Sequence, residues 1–130
     1  MSKYKEHVII LTQGREDGGH AAMLAFKLAV TMQAMQQKTS VFLTLAATRW
    51  GFQGTAKDLI LPGEPSLEEF IDSFIESDGE LLICSPCIEA YCYLPGLEEE
   101  FYQEKIRPNS RYVGLATIAE KMFDGEATVF

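Results

Sequence analysis

Five short apolar runs punctuate the chain, at residues 8–12, 41–45, 81–84, 112–115 and 127–130. The first three are nearly continuous rather than alternating, which suits strands covered on both faces, as in a parallel sheet. Helical patterns lie between the runs. Residues 21–35 are rich in Ala, Met and Leu, good helix formers, and carry a single charge, Lys27. A helix covering one face of a sheet normally shows a polar outer stripe. This one hardly does, so its outer face is expected to be buried against another subunit. The next helix is signalled by a capping box, Ser66 with Glu69, just after Pro65. Leu67, Phe70, Ile71, Phe74 and Ile75 then form one apolar stripe, and Ser77-Asp78-Gly79 ends it. A further helix is expected from near Leu115 through Ala119 and Met122, with Gly125 as its stop. Residues 94–109 are acidic and turn-rich, with Pro95-Gly96 and Pro108-Asn109, and read as a partly helical surface excursion.

Alternating strands and helices with short connections imply right-handed crossovers. The expected architecture is α/β: three α/β/α layers around a five-stranded, mostly parallel sheet, in one domain over residues 1–130. No internal repeat, low-complexity tract or linker interrupts it.

Composition narrows the classes of function. At 130 residues, 47% of them hydrophobic and 23% charged, the chain has the profile of an ordinary globular protein with a real core. Its formal net charge of −8, without a Lys/Arg cluster, repels phosphate backbones, so direct nucleic-acid binding is not expected. A small anion can still be held by local N–H groups or one well-placed Arg. No apolar run approaches the roughly 20 residues of a membrane helix. The first seven residues show no signal-peptide pattern, and a cytoplasmic location is expected. The three cysteines, Cys84, Cys87 and Cys92, fall within nine residues. An odd, clustered set reads as chemistry in a reducing compartment rather than as a disulfide framework.

In open parallel sheets, ligands bind beyond the carboxyl ends of the strands. That rule selects residues 13–20, 46–54 and 84–93. Cys84 ends a buried strand, with Ser85 as a helix cap and Pro86 at the first helical position. A helix N-terminus facing Cys84 lowers its pKa and favours the thiolate, the form that attacks sulfur. The competing reading is a small hydrophobe in a buried strand. Cys87 completes a C-x-x-C pair, but no second pair and no nearby His supply zinc ligands, so no metal is expected. Cys92, between Tyr91 and Tyr93, either resolves a persulfide or disulfide on Cys84 or simply packs. In the first loop, Gln13-Gly14-Arg15-Glu16-Asp17-Gly18-Gly19-His20, the glycines permit a tight turn rather than forming a nucleotide motif. His20 either orients a substrate or partner thiol or is a solvated residue at a helix start. In Thr48-Arg49-Trp50-Gly51-Phe52, Arg49 either holds an anionic sulfur compound or stacks on Trp50 across a subunit boundary, with both aromatics read as exposed. Glu98-Glu99-Glu100 reads as a solvated face.

These pieces together resemble the DsrE/DsrF-like family, which includes the TusD-type sulfur carriers. The resemblance spans almost the whole chain. It runs from Val8-Ile9-Ile10-Leu11-Thr12 and the Gly/Asp loop before an Ala-rich helix, through Val41-Phe42-Leu43-Thr44, to Leu81-Leu82-Ile83-Cys84. It closes on Tyr112-Val113-Gly114-Leu115-Ala116-Thr117-Ile118-Ala119-Glu120 and the ending Thr128-Val129-Phe130. The resemblance implies a homotrimer or homohexamer that carries sulfane sulfur on the cysteine matching Cys84, as a persulfide or thiosulfonate. Sulfur then passes between donor and acceptor proteins in sulfur oxidation or in thiolation of transfer RNA, with no cofactor beyond the cysteine itself. The cysteine eight residues downstream, Cys92, resembles the DsrE-like proteins of sulfur oxidation more than the TusD-like pattern. Two other readings stay open: a thiol–disulfide oxidoreductase using Cys84 and Cys87, and a non-catalytic subunit that binds a ligand or partner.

Overall fold

The computed structural model describes residues 6–87 and 105–130. Strands β1 (His7–Leu11), β2 (Thr39–Leu43), β3 (Glu80–Cys84), β4 (Ser110–Val113) and β5 (Glu126–Val129) form one sheet in the order β4-β3-β2-β1-β5. Every neighbouring pair is parallel. Helix α1 (His20–Ala34) joins β1 to β2, α2 (Leu67–Glu76) precedes β3, and α3 (Leu115–Phe123) joins β4 to β5. A short 3-10 helix, Leu45–Gly51, follows β2. The expected α/β/α architecture is present, its sheet wholly parallel.

The strands start one or two residues before the apolar runs. Thr39 and Ser40 are buried polar residues in the β2 ladder, and each has a partner: the Thr39 N–H donates to Gln33 Oε1 at 2.8 Å, and Ser40 Oγ to Glu6 Oε1 at 3.1 Å. Hydrophobicity marks where a strand is dry, whereas pairing continues as far as backbone groups find partners.

Period-2 alternation divides the core. Ile9, Leu11, Val41, Leu43, Leu81 and Ile83 pack with α1 and α2 on one face. Val8, Phe42, Leu82 and Cys84 lie in a smaller cluster with Val113 and Ile118 of α3 on the other. The chain moves across the sheet from β1 to β4 and then returns to place β5 beside β1. Right-handed connections therefore set α3 on the face opposite α1 and α2.

Part of the missing polar stripe of α1 is accounted for within the chain. Ala22, Met23, Ala25, Phe26 and Ala29 are buried, and α1 packs along α2 as well as on the sheet. Phe26 meets Phe74 edge-on, with ring centroids 6.0 Å apart. Of the apolar residues in α1, Leu24 stays 57% exposed. The entry into α1 needs glycine at residue 19: φ is 80°, and a Cβ there would lie 2.6 Å from Leu59. Asp17 supplies the cap, its carboxylate accepting from the N–H groups of Gly19 and Ala21, each at 2.9 Å.

The capping box of α2 forms as expected. Ser66 Oγ accepts from the Glu69 N–H, and Glu69 accepts from the Ser66 N–H at 2.8 Å. Leu67, Ile71 and Phe74 are the fully buried part of the stripe. Substituting Ser66→Ala is expected to lower the unfolding free energy by about 1 kcal/mol, read as a shift in the urea midpoint at constant slope. An unchanged midpoint would mean that packing alone fixes this helix start.

Candidate functional site

β3 ends at Cys84, beside Val113 of β4, and the Ser85 N–H donates to the Val113 carbonyl at 3.1 Å. Ser85 and Pro86 form an exposed turn, and helical conformation is reached at Cys87. Both cysteines are free, Cys84 buried and Cys87 partly exposed.

The turn brings Cys87 under the loop that follows β2. Its Sγ accepts the Leu45 N–H at 3.3 Å and lies 3.5 Å from Thr44 Oγ1. Thr44 is tied down through its own N–H, which donates to the Leu11 carbonyl at 3.1 Å. Leu45 adopts φ of 54°, the left-handed region that a leucine rarely enters. Such backbone persists only where surrounding structure over-determines it, and it clusters at functional sites. Here it sets the Thr44–Leu45 peptide so that the N–H meets sulfur.

The same geometry decides how the two thiols ionise. Burial pushes the Cys84 thiol up, and its hydrogen bond to Cys87 adds to that, outweighing help from Thr44. Burial also opposes the Cys87 thiolate, but hydrogen bonds from Cys84, Thr44 and the Leu45 N–H together hold its pKa below the ordinary thiol value. The two sulfurs share one charge, and it settles on Cys87. The expectation of a lowered pKa at Cys84 is therefore corrected. Cys84 lies among Phe42, Leu82, Val113 and Ile118, where the Thr44 hydroxyl and the Cys87 N–H do not make up for the lost water, whereas Cys87 also meets the Leu45 N–H.

The loop carrying this cradle is anchored from the other side. Gly14 lies so close that a Cβ there would be 2.8 Å from the Ala46 carbonyl, and Trp50 Nε1 donates to the Gln13 carbonyl at 3.0 Å. Trp50 and Phe52 are both buried, not exposed as their sequence setting suggests. Arg49 lies over the Trp50 ring of its own chain, 5.4 Å from the centroid, rather than across a subunit boundary. Its charge also reaches Asp58, whose pKa is lowered mainly by the hydrogen bonds from Arg15. His20 sits exposed at the start of α1, against Gly18. The structure thus gathers Cys84 and Cys87, leaves Ser85 at the rim, and places Arg49 and His20 with the first loop. Cys92, its neighbours Tyr91 and Tyr93, and Glu98-Glu99-Glu100 lie outside the described residues. Among the described residues, no cluster of His, Cys, Asp and Glu could hold a metal, and no helix is long and apolar enough to cross a membrane.

Three contributors carry no sequence signal of their own. Thr44 and Leu45 read as the tail of an apolar run, and nothing local marks them as facing a cysteine about forty residues away. Arg107 is fully buried. Its Nη1 and Nη2 donate to Glu68 at 2.6 and 2.9 Å, and its Nε to the Trp50 carbonyl at 2.6 Å. It thereby ties α2 to the loop that bears the cradle.

The fold has known counterparts. The crystal structure of the ychN protein from E. coli superposes with a TM-score of 0.70 at 14% identity, covering 96% of this chain and 99% of that one. A conserved protein of unknown function from Bacteroides thetaiotaomicron, BT1422, gives 0.63 at 13% identity, covering 97% and 95%. At such identities the likeness is one of fold. Among curated proteins, none matches the sequence. The model of the DsrE/DsrF-like family matches residues 6–130, nearly the whole length. The chain belongs to the DsrE/DsrF-like family.

Proposed function

We propose that the protein is a sulfur carrier: the Cys84/Cys87 pair accepts sulfane sulfur from a persulfide or thiosulfate donor and passes it to a partner protein's thiol. The observation that carries this reading is a free cysteine pair at the end of β3, one sulfur of which accepts a backbone N–H. A thiolate is the nucleophile for sulfane sulfur, and fixed dipoles stabilise it without attracting a competing cation. With thiosulfate, the thiolate forms a new S–S bond to the outer sulfur while the old S–S bond breaks and sulfite leaves with the electron pair. No cofactor is required, because the sulfur stays covalently on cysteine. Family membership supports the same reading. Exposed apolar side chains on α3, with Leu115 at 72% and Phe123 at 80%, support assembly as a homotrimer or homohexamer.

Incubation with thiosulfate or glutathione persulfide is expected to add one sulfur to the intact protein, removable by a thiol reductant. The Cys84→Ser/Cys87→Ser double variant is expected to show none. Absence of the adduct, or its persistence in the double variant, would falsify the carrier reading.

The placement of both thiols at the end of β3, three residues apart across one turn, also favours a second reading, thiol–disulfide exchange. That reading requires a reversible disulfide between Cys84 and Cys87 under a defined glutathione redox buffer. Thiol counts that stay constant while sulfur loading remains intact decide for transfer.

A further inference from the structure

We infer that Cys87, rather than Cys84, is the thiol that first receives sulfur, and that Cys84 is a positioning residue whose S–H donates to the Cys87 sulfur. This inference rests on the carrier reading and assigns the roles within it. Three observations converge. Cys87 Sγ accepts the Leu45 N–H at 3.3 Å and lies 3.5 Å from the Thr44 hydroxyl and beside the Cys84 thiol, whereas Cys84 has only the Thr44 hydroxyl and the Cys87 N–H to favour its anion. Displacement at sulfur needs an open line of approach, and Cys87 is partly exposed whereas Cys84 is only 6% exposed. Cys84 is also packed among Phe42, Leu82, Val113 and Ile118, which cannot solvate a thiolate or a persulfide anion. The ionisation of the pair agrees, with Cys87 favoured as the anion and Cys84 as the thiol.

In the step itself, the Cys87 thiolate attacks the outer sulfur of R–S–SH. A bond forms between Cys87 Sγ and that sulfur, the donor's S–S bond breaks, and its electron pair leaves on R–S⁻. No external oxidant or reductant takes part, because a neutral sulfur atom moves from one thiolate to another. Cys84 forms no covalent bond. Its protonated state also protects the product. A Cys84 thiolate would attack Cys87 Sγ, close the disulfide and release the cargo as hydrogen sulfide, and a thiol does this slowly.

Glutathione persulfide loading followed by peptide mapping tests the assignment, with alkylation by iodoacetamide across a pH series as the second measurement. In the wild-type protein, Cys87 is expected to be loaded and alkylated first. Cys87→Ser is expected to lower the loading rate of the pair by at least about tenfold, because Cys84 is buried and protonated. Cys84→Ala and Thr44→Val each remove a donor, so the pH midpoint of Cys87 alkylation should move upward. Cys84→Ser keeps a donor and should restore it, which a purely structural role for Cys84 would not do. First loading on any cysteine other than Cys87, or wild-type loading of Cys87→Ser, overturns the assignment and leaves the carrier reading standing. No sulfur on any cysteine defeats the carrier reading itself. If Cys87→Ser does not fold, the order of alkylation in the wild-type protein decides the matter alone.

Discussion

Replacing Glu68 by Gln is expected to remove about 3–5 kcal/mol of unfolding free energy at neutral pH, the usual consequence of stranding one member of a buried ion pair. Arg107 has no access to water, and both its terminal nitrogens donate to the Glu68 carboxylate. Asp72, with its Oδ1 3.7 Å from Nη1, is too exposed and too far to take over. Glu68 accepts two further hydrogen bonds, from the N–H groups of Gly54 at 3.0 Å and Ala56 at 3.1 Å. An amide turns one acceptor into a donor, so whichever way it is set, a donor faces a donor. Replacing the pair together with apolar residues should cost much less than either single change.

The acid dependence follows from the same contacts. Burial alone would raise the Glu68 pKa, but the hydrogen bonds from Arg107 and from the Gly54 and Ala56 N–H groups outweigh it and bring it below the ordinary value. A carboxyl whose pKa is lower folded than unfolded contributes its full stability above the unfolded value, about 4.3 for Glu. That contribution is lost as the pH falls through the folded pKa. Glu68→Gln should therefore flatten the acid limb of the stability curve without abolishing it, because Glu6, beside Lys121, also has a lowered pKa. Urea midpoints along a pH series measure both effects. A variant with the wild-type midpoint at pH 7 and the same acid limb would refute this account.

Trp50→Ala is expected to cost about 3–5 kcal/mol and to disturb the thiol pair as well. The indole is wholly buried between the sheet and the helices, its Nε1 holds the Gln13 carbonyl, and its own carbonyl accepts from Arg107 Nε. The 3-10 helix that Trp50 anchors begins at Leu45, whose N–H faces Cys87. A loosened anchor should let that peptide turn away, and the Cys87 pKa should drift up toward the ordinary thiol value. Trp50→Phe keeps an aromatic ring but loses the five-membered ring and one hydrogen bond; it should cost less than Trp50→Ala and leave Cys87 nearly unchanged. Thermal unfolding together with the pH profile of Cys87 alkylation separates the two variants. An unmoved alkylation profile in folded Trp50→Ala would show that the cradle holds without this anchor.

Much of the fold was legible because it depends on periodicities of two and 3.6 residues. The unbroken apolar character of β1, β2 and β3 follows from their central places in the sheet, covered on both faces. β4 and β5 are edges with exposed residues, and their weaker signals shifted the expected starts to residues 112 and 127. The sparse charge of α1 was a true observation, and packing on α2 accounts for part of it. A one-dimensional pattern shows that a face is dry, but not whether α2 or a second subunit covers it.

At the candidate site, local spacing placed Cys84 at a strand end and Cys87 three residues on, and those two facts needed nothing beyond the chain's own order. Which sulfur carries the charge was decided elsewhere. The Leu45 N–H and the Thr44 hydroxyl are separated from Cys87 by more than forty residues, and parallel pairing of β2 with β3 brings them together. Buried Arg107 and Glu68 likewise meet across 39 positions. Hydrophobic pattern and turn chemistry act between near neighbours and are written in the sequence. The donors that stabilise an anion act through distance and direction, which exist only once the chain is folded.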